Sequence, residues 1–113
     1  MRFLLVLLLT GCSTPGLYLA QDCAGNDLAI RYTQHVSIAP PLDCASLASI
    51  CGASPGEVLA LTAVLPLACA YRGLNCSFIV LPAIGGDLVR DHELAHLAGK
   101  THAPGSWADP MCP

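Results

Sequence analysis

Three histidines in the last quarter of the chain have the spacing of ligands for one metal ion. In the segment His92–His102, which reads HELAHLAGKTH, a helix would place His92 and His96 on one face. Gly99 can adopt the left-handed backbone conformation that ends a helix, and the resulting turn would bring His102 to the same ion. Three histidine ligands leave one coordination position open, as in catalytic rather than structural zinc sites. The spacing therefore predicts a zinc site.

A carboxylate lies beside the first of these ligands. Glu93 follows His92 directly and can accept a proton from a water molecule that the metal activates, which makes it the candidate general base for a hydrolysis. Asp91 or Asp109 could orient the ligand histidines, and Asp109 is also the alternative ligand if His102 is misplaced. His35 lies outside the spacing and is interpreted as an ordinary surface or core histidine.

The complete segment resembles the metzincin clan of zinc peptidases, because their HExxHxxGxxH signature is matched at all five fixed positions. With this chain's composition, such a match arises by chance about once in a hundred thousand sequences. The resemblance implies a zinc metalloendopeptidase that acts on a protein or peptide substrate. Metzincins also carry a methionine turn beneath the metal, and the resemblance assigns that turn to Met111. Here Cys112 stands where matrix-metalloproteinase-like members have a tyrosine.

The resemblance covers only the last part of the chain, about Asp87 to Pro113. The sequence stops where these families continue into the wall of the specificity pocket and a final helix, so it does not indicate the substrate or the cleavage specificity. No inhibitory propeptide is recognisable. The resemblance also implies an upstream edge strand along which the substrate lies extended, and Phe78–Leu81 is the candidate for that strand.

The first eleven residues have the order of a secretory signal: Arg2, the apolar run Phe3–Leu9, and then small residues. A spanning helix needs about 20 apolar residues, so this run is too short for one. Its end, Leu9-Thr10-Gly11-Cys12, resembles the bacterial lipoprotein signal, in which the cysteine is acylated and becomes the mature N-terminus. We therefore expect Cys12 to anchor the protein in the cell envelope, on an outer membrane facing the periplasm or on the cell surface. An ordinary signal peptide cleaved near Ala20 is the alternative.

The cysteine count agrees with this expectation, because lipidation of Cys12 leaves an even number for disulfides. The six disulfide candidates are Cys23, Cys44, Cys51, Cys69, Cys76 and Cys112. Spacing alone does not determine their pairing. One unbroken helix through Cys44 and Cys51 would separate them by about 10 Å along its axis, too far for a bridge. Cys69 and Cys76 could pair across a hairpin.

Hydrophobic patterning and turn residues predict a mixture of strands and helices. The predicted elements are a strand over Leu28–Ile38, a helix from its cap Asp43 to Ile50, a helix from its cap Ser54 to Pro66, a hairpin of Leu67–Arg72 with Cys76–Leu81, and a helix over Leu88–Ala98 capped by Asp87. They predict a small α+β domain, zincin-like by resemblance, with a sheet or hairpin packed on the active-site helix and stabilised by disulfides. The expected organisation is a signal peptide over 1–11, a tether over 12–27 and one domain over 28–113.

Composition excludes some classes of function. Hydrophobic residues make up 54% of the 113 residues and charged residues 12%, which favours a folded chain. The formal charge is −3 and the five basic residues are scattered, so nucleic acid is not an expected partner. The expected partners are a substrate and, through the lipid anchor, a membrane. Two other hypotheses remain open: a catalytically inactive, zinc-binding envelope lipoprotein that acts as a binding module, and a disulfide scaffold whose histidines have no role.

Overall fold

The computed structural model describes residues 12–106 and 108–113, so the predicted signal peptide at 1–11 lies outside the described residues. The elements are β1 Cys12–Gln21, β2 Asp27–Ser37, α1 Pro40–Ile50, α2 Pro55–Val64, β3 Cys69–Arg72, β4 Ser77–Pro82 and α3 Gly86–Leu97. The strands form one mixed sheet in the order β1-β2-β4-β3, in which only β2 and β4 are parallel. The predicted α+β class is confirmed.

The central strand β4 organises two cores, because successive side chains of a strand point to opposite faces of the sheet. Phe78 and Val80 pack against α1, whereas Ile79 and Leu81 pack against α3, and all four are buried. The sheet therefore separates α1 and α2 from α3. The expectation that Phe78–Leu81 is an edge strand is wrong, because β2 and β3 pair with β4 on its two sides and leave β1 and β3 at the edges.

The expected tether differs from the structure, since Cys12–Gln21 is a strand that pairs with β2 along its whole length. Its residues Leu17–Leu19 are large and apolar, which suits a paired strand despite the proline and glycine before them. The turn that joins β1 to β2 is held by Asp22, whose side chain accepts hydrogen bonds from the backbone N–H groups of Ala24 and Asn26 at 2.9 and 2.8 Å. The two strands form a long antiparallel hairpin.

The N-cap residue was predicted correctly for α2 but not for α1. In α2, Ser54 and Glu57 form the expected capping box, and the helix ends before Pro66. Helix α1 begins earlier than expected, at Pro40. Proline suits the first position of a helix, because a backbone N–H there would have no acceptor within the helix. Asp43 is therefore not the cap. It lies in the first turn and accepts a hydrogen bond from the hydroxyl of Ser37.

The third helix also begins before its predicted cap. Gly85, with a φ of 79°, is the N-cap residue of α3. Asp87 lies inside the first turn, where its negative charge interacts favourably with the positive end of the helix dipole. The left-handed backbone at Gly85 disfavours any residue with a side chain. No helix in the described part of the chain is long and apolar enough to cross a bilayer.

Three disulfides are present, as expected, and they join Cys23 to Cys112, Cys44 to Cys69 and Cys51 to Cys76. The predicted bridge between Cys69 and Cys76 is wrong. The hairpin register places Cys69 opposite Val80 and Arg72 opposite Ser77, so the two cysteines do not face each other. Cys44 and Cys51, which are too far apart on α1 to pair together, each bond to the hairpin instead and fix α1 on the sheet.

Candidate metal centre

The second half of α3 carries the first two candidate ligands. His92 and His96 lie one turn apart, with ring centroids 5.0 Å apart. The helix is held in place by Leu94 and Leu97, which are buried against β4. Since i and i+4 positions share a face, the two imidazole rings project together from the helix.

The chain reverses immediately after the helix, because Gly99 has a φ of 92°. The N–H of Gly99 donates to the carbonyl of His96 at 3.0 Å, and the N–H of Lys100 donates to the carbonyl of Ala95 at 3.2 Å. This pair of hydrogen bonds defines a Schellman motif, which uses the left-handed conformation that glycine adopts without steric cost. The predicted role of Gly99 in turning the chain is confirmed.

The reversal brings His102 back to the other two histidines. Its Nε2 atom lies 3.1 Å from Nε2 of His92 and 3.2 Å from Nε2 of His96. Tetrahedral zinc with bonds of about 2.0–2.1 Å to histidine holds its nitrogen ligands about 3.3–3.4 Å apart. The observed separations are close to that value. The three histidines could therefore hold one metal ion.

The hydrogen bonds of His96 indicate which of its nitrogens faces the site. Nδ1 of His96 lies 2.9 Å from the carbonyl oxygen of Lys100, and a carbonyl can only accept. Nδ1 therefore carries a proton, which leaves Nε2 as the nitrogen whose lone pair could bind a metal ion. Sequence reasoning missed this group, since a backbone carbonyl has no residue-type signature.

The two aspartates that the sequence suggested as orienting groups do not have that role in the described part of the chain. Neither Asp91 nor Asp109 forms a hydrogen bond with a site histidine there. Asp109 is nevertheless near enough for its charge to act on His92. Burial, together with His96 and His102, lowers the pKa of His92 more than Asp109 raises it, which favours the neutral, ligand form.

The segment after Gly99 is fixed at two points beyond His102. Thr101 and Met111 exchange two backbone hydrogen bonds of 2.9 Å each, and the next residue, Cys112, is bonded to Cys23 at the tip of the β1–β2 hairpin. Nδ1 of His102 is buried and has no hydrogen-bond partner among the described residues. The position of His102 therefore depends on the backbone of its segment. The side chain of Met111 is 60% exposed, and its role as a methionine turn stays a prediction.

Glu93 is 6% exposed, and burial raises its pKa to about 7 because the charged carboxylate is poorly solvated there. A carboxyl group with that pKa can both accept and release a proton near neutral pH. His35, by contrast, lies in β2, where its ring contacts the edge of Phe78 on the sheet face opposite α3. It is not part of the site, as expected.

In comparisons with known proteins, no protein-family model, no curated protein and no solved structure matches this chain.

Proposed function

We propose that this chain is a zinc-dependent endopeptidase of the metzincin type, acting on proteins or peptides from a lipid anchor in the cell envelope. The observation that carries the proposal is the convergence of the Nε2 atoms of His92, His96 and His102, with Glu93 next to the first of them. In this proposal the sheet and α3 make a minimal zincin-like fold, in which β4 supports the helix that carries two ligands.

The choice of zinc follows from the ligand set. Imidazole nitrogens suit zinc, copper, iron and nickel, and three of them with one open position form a common arrangement of catalytic zinc. When bound, such an ion supplies polarisation of a substrate carbonyl and acidification of a water molecule. In this chain, His92, His96 and His102 would bind the ion. The Lys100 carbonyl accepts a hydrogen bond from His96 and so keeps the proton on Nδ1.

Glu93 is the proposed general base. It accepts the proton of the attacking water and returns it to the leaving amine, and a pKa near the working pH suits both transfers. The burial that raises its pKa to about 7 supports this assignment, because a fully solvated carboxylate would be a weaker base.

Anchoring at Cys12 is proposed on the lipoprotein-like signal. The three disulfides use six of the seven cysteines, and Cys12 is the seventh. The pairing therefore agrees with a separate role for that residue. Several acyl chains, each contributing about 0.8 kcal/mol per buried methylene, hold a protein firmly in a bilayer.

Metal content and peptide cleavage, measured on one preparation of the full chain, test the proposal. We expect one zinc per chain, cleavage of a quenched-peptide library, loss of cleavage with a chelator, and recovery when zinc is returned. His35→Ala is the matched control, because this histidine lies outside the site and its replacement should leave zinc content unchanged. Binding of zinc that is unaffected by His102→Ala would contradict the assigned ligand set.

The burial of Glu93 also favours a second candidate, a zinc-binding envelope lipoprotein without catalytic activity. Glu93 is 6% exposed as a whole residue, and a general base must reach the water that it deprotonates. Stoichiometric zinc, with no cleavage of any library peptide, would select this candidate.

A further inference from the structure

One end of the molecule collects three loops at the carboxyl ends of the parallel strands. Ser37 and Pro82, the last residues of β2 and β4, are paired, and the N–H of Ala83 donates to the carbonyl of Ser37 at 3.0 Å. β3 runs in the opposite direction and begins at Cys69, opposite Val80, so the loop before it lies at the same end. We define the apolar end as the first turn of α3 together with the three loops and the helix residues that adjoin them, at 38–42, 64–68 and 83–86.

The apolar end exposes large hydrophobic side chains. They are Ile38 at 86%, Leu42 at 71%, Leu65 at 65%, Leu67 at 77%, Ile84 at 92% and Leu88 at 89%. The three loops contain no charged residue, whereas the first turn of α3 carries Asp87, whose side chain is 90% exposed and paired with Arg90. Single exposed apolar residues are ordinary, but their concentration on adjacent loops marks a surface that contacts a protein or a membrane.

The opposite end of the molecule has a different composition. The β1–β2 turn contains Asp22 and is followed by Asp27, the start of α2 contains Glu57, and Arg72 ends β3. Each of these charged residues lies in or near an element whose other end adjoins one of the three loops or, for β1, Cys12. This opposite end, called the charged end, therefore carries these charges where the chain reverses, although it also exposes Ile50 and Leu74.

The chain enters the described structure at the apolar end. Cys12 opens β1 opposite Val36, one residue before the end of β2, and the residues that precede Cys12 contain the apolar run Phe3–Leu9. A lipid attached at Cys12 would therefore hold this end, and not the charged one, against the bilayer. Apolar side chains at such a position enter the boundary between headgroups and acyl chains to a depth of about 5–10 Å.

We propose that the apolar end is a membrane-contacting surface, which inserts Ile38, Leu67, Ile84 and their apolar neighbours into the interface of the bilayer that holds the lipid anchor. This inference rests on the proposed anchoring at Cys12 and is independent of the proposed catalysis. It gives the metal centre an orientation. α3 begins at the apolar end, and at 1.5 Å per residue His92 and His96 lie about 9 and 15 Å along its axis from Gly86. The histidines thus lie on the part of α3 farther from the membrane surface.

Photo-crosslinking to lipid tests this arrangement. The full chain, lipidated in a bacterial host and reconstituted in phosphatidylcholine vesicles that contain a lipid with a diazirine in its acyl chain, is irradiated, digested and mapped by mass spectrometry. We expect lipid adducts in the three loops and none at Ile50 or Leu74, which are 73% and 103% exposed but lie away from the apolar end. Adducts confined to residues 1–12, equal labelling of Ile50 and Leu74, or cross-links between two chains in place of lipid adducts would each overturn the proposal.

A matched pair of variants separates specific contact from general stickiness. Leu67→Asp with Ile84→Asp should abolish labelling of the three loops, because a charged group resists transfer into the interface, whereas Ile50→Asp with Leu74→Asp should leave it intact. All four side chains are exposed, so the fold should be retained, and circular dichroism checks this. Zinc content should be equal in both variants, which distinguishes failure at the membrane surface from failure of the metal centre. Loop labelling that survives Leu67→Asp with Ile84→Asp would also overturn the proposal.

Discussion

The disulfide between Cys23 and Cys112 should control the affinity of the metal centre as well as the stability of the fold. Cys112 follows Met111, which pairs with Thr101, the residue before His102. Replacement of Cys23 and Cys112 by serine removes the covalent bond that joins the C-terminal segment to the β1–β2 turn. Among the described residues, the two Thr101–Met111 hydrogen bonds still hold the segment after this replacement, each contributing about 0.5–1.5 kcal/mol.

The expected magnitudes follow from the length of the closed loop. Cys23 and Cys112 are 89 residues apart, and their bridge contributes about 4.6 kcal/mol in the loop-entropy description. Cys51 and Cys76 are 25 residues apart, which gives about 3.5 kcal/mol. The two serine pairs should therefore lower the unfolding free energy by similar amounts. For zinc affinity they should differ, with a loss of about 10- to 100-fold for the first pair, as is typical when a group that orients a metal ligand is removed.

Chelator competition measures the zinc dissociation constant of both serine pairs, at a temperature where circular dichroism shows each variant to be folded. The Cys51→Ser, Cys76→Ser control should bind zinc like the parent, because its bridge joins the end of α1 to the β3–β4 turn. If the Cys23→Ser, Cys112→Ser variant melts earlier but binds zinc as tightly as the parent, the segment does not depend on its disulfide and the reasoning fails.

Three further predictions concern other parts of the chain. Cys12→Ser should abolish incorporation of a radiolabelled fatty acid, and a label that persists in this variant would contradict lipidation at that position. His102→Ala should weaken zinc binding strongly while the fold is retained, and if it does not, Asp109 becomes the third ligand to test by Asp109→Ala. Burial lowers the pKa of His35 below its usual 6.5, so the unfolded chain takes up that proton first and this histidine destabilises the fold increasingly as the pH falls below about 6.5. His35→Gln should therefore become more stable relative to the parent over that range in urea titrations, and a constant difference between the two would refute that contribution.

Local signals predicted most of the elements, and the exceptions have physical causes. The capping residues of α2, the end of α3 at Gly99 and the β3–β4 hairpin follow from residues within a few positions of one another. The strand β1 was missed because its proline and glycine resemble a flexible tether, whereas pairing with β2 over ten residues outweighs that local preference.

Local sequence patterns did not predict the strand order or the disulfide pairing, because both depend on residues far apart in the chain. The position of β4 between β2 and β3 depends on a parallel pairing with residues 45 positions earlier in the chain, which no short motif encodes. The pairing of Cys69 with Cys44 depends on the register of the hairpin, where a shift of one residue reverses every side chain.

The candidate site was the most predictable part of the molecule. His92, His96 and His102 converge as their spacing indicates, because one helical turn and one glycine reversal set their positions. The Lys100 carbonyl that orients His96, and the Thr101–Met111 pairing that fixes the segment of His102, are backbone interactions. Side-chain types do not reveal such interactions in advance.

Glu93→Gln, compared with the parent for both zinc content and peptide cleavage, tests the central claim most directly. The substitution keeps the size of the side chain and all three histidine ligands but removes the group proposed to transfer the proton. We predict one zinc per chain in both proteins, and a loss of about 10²- to 10⁴-fold in cleavage rate for the variant, the usual contribution of general acid–base catalysis. A variant that retains zinc and cleaves as fast as the parent would contradict the proposed mechanism.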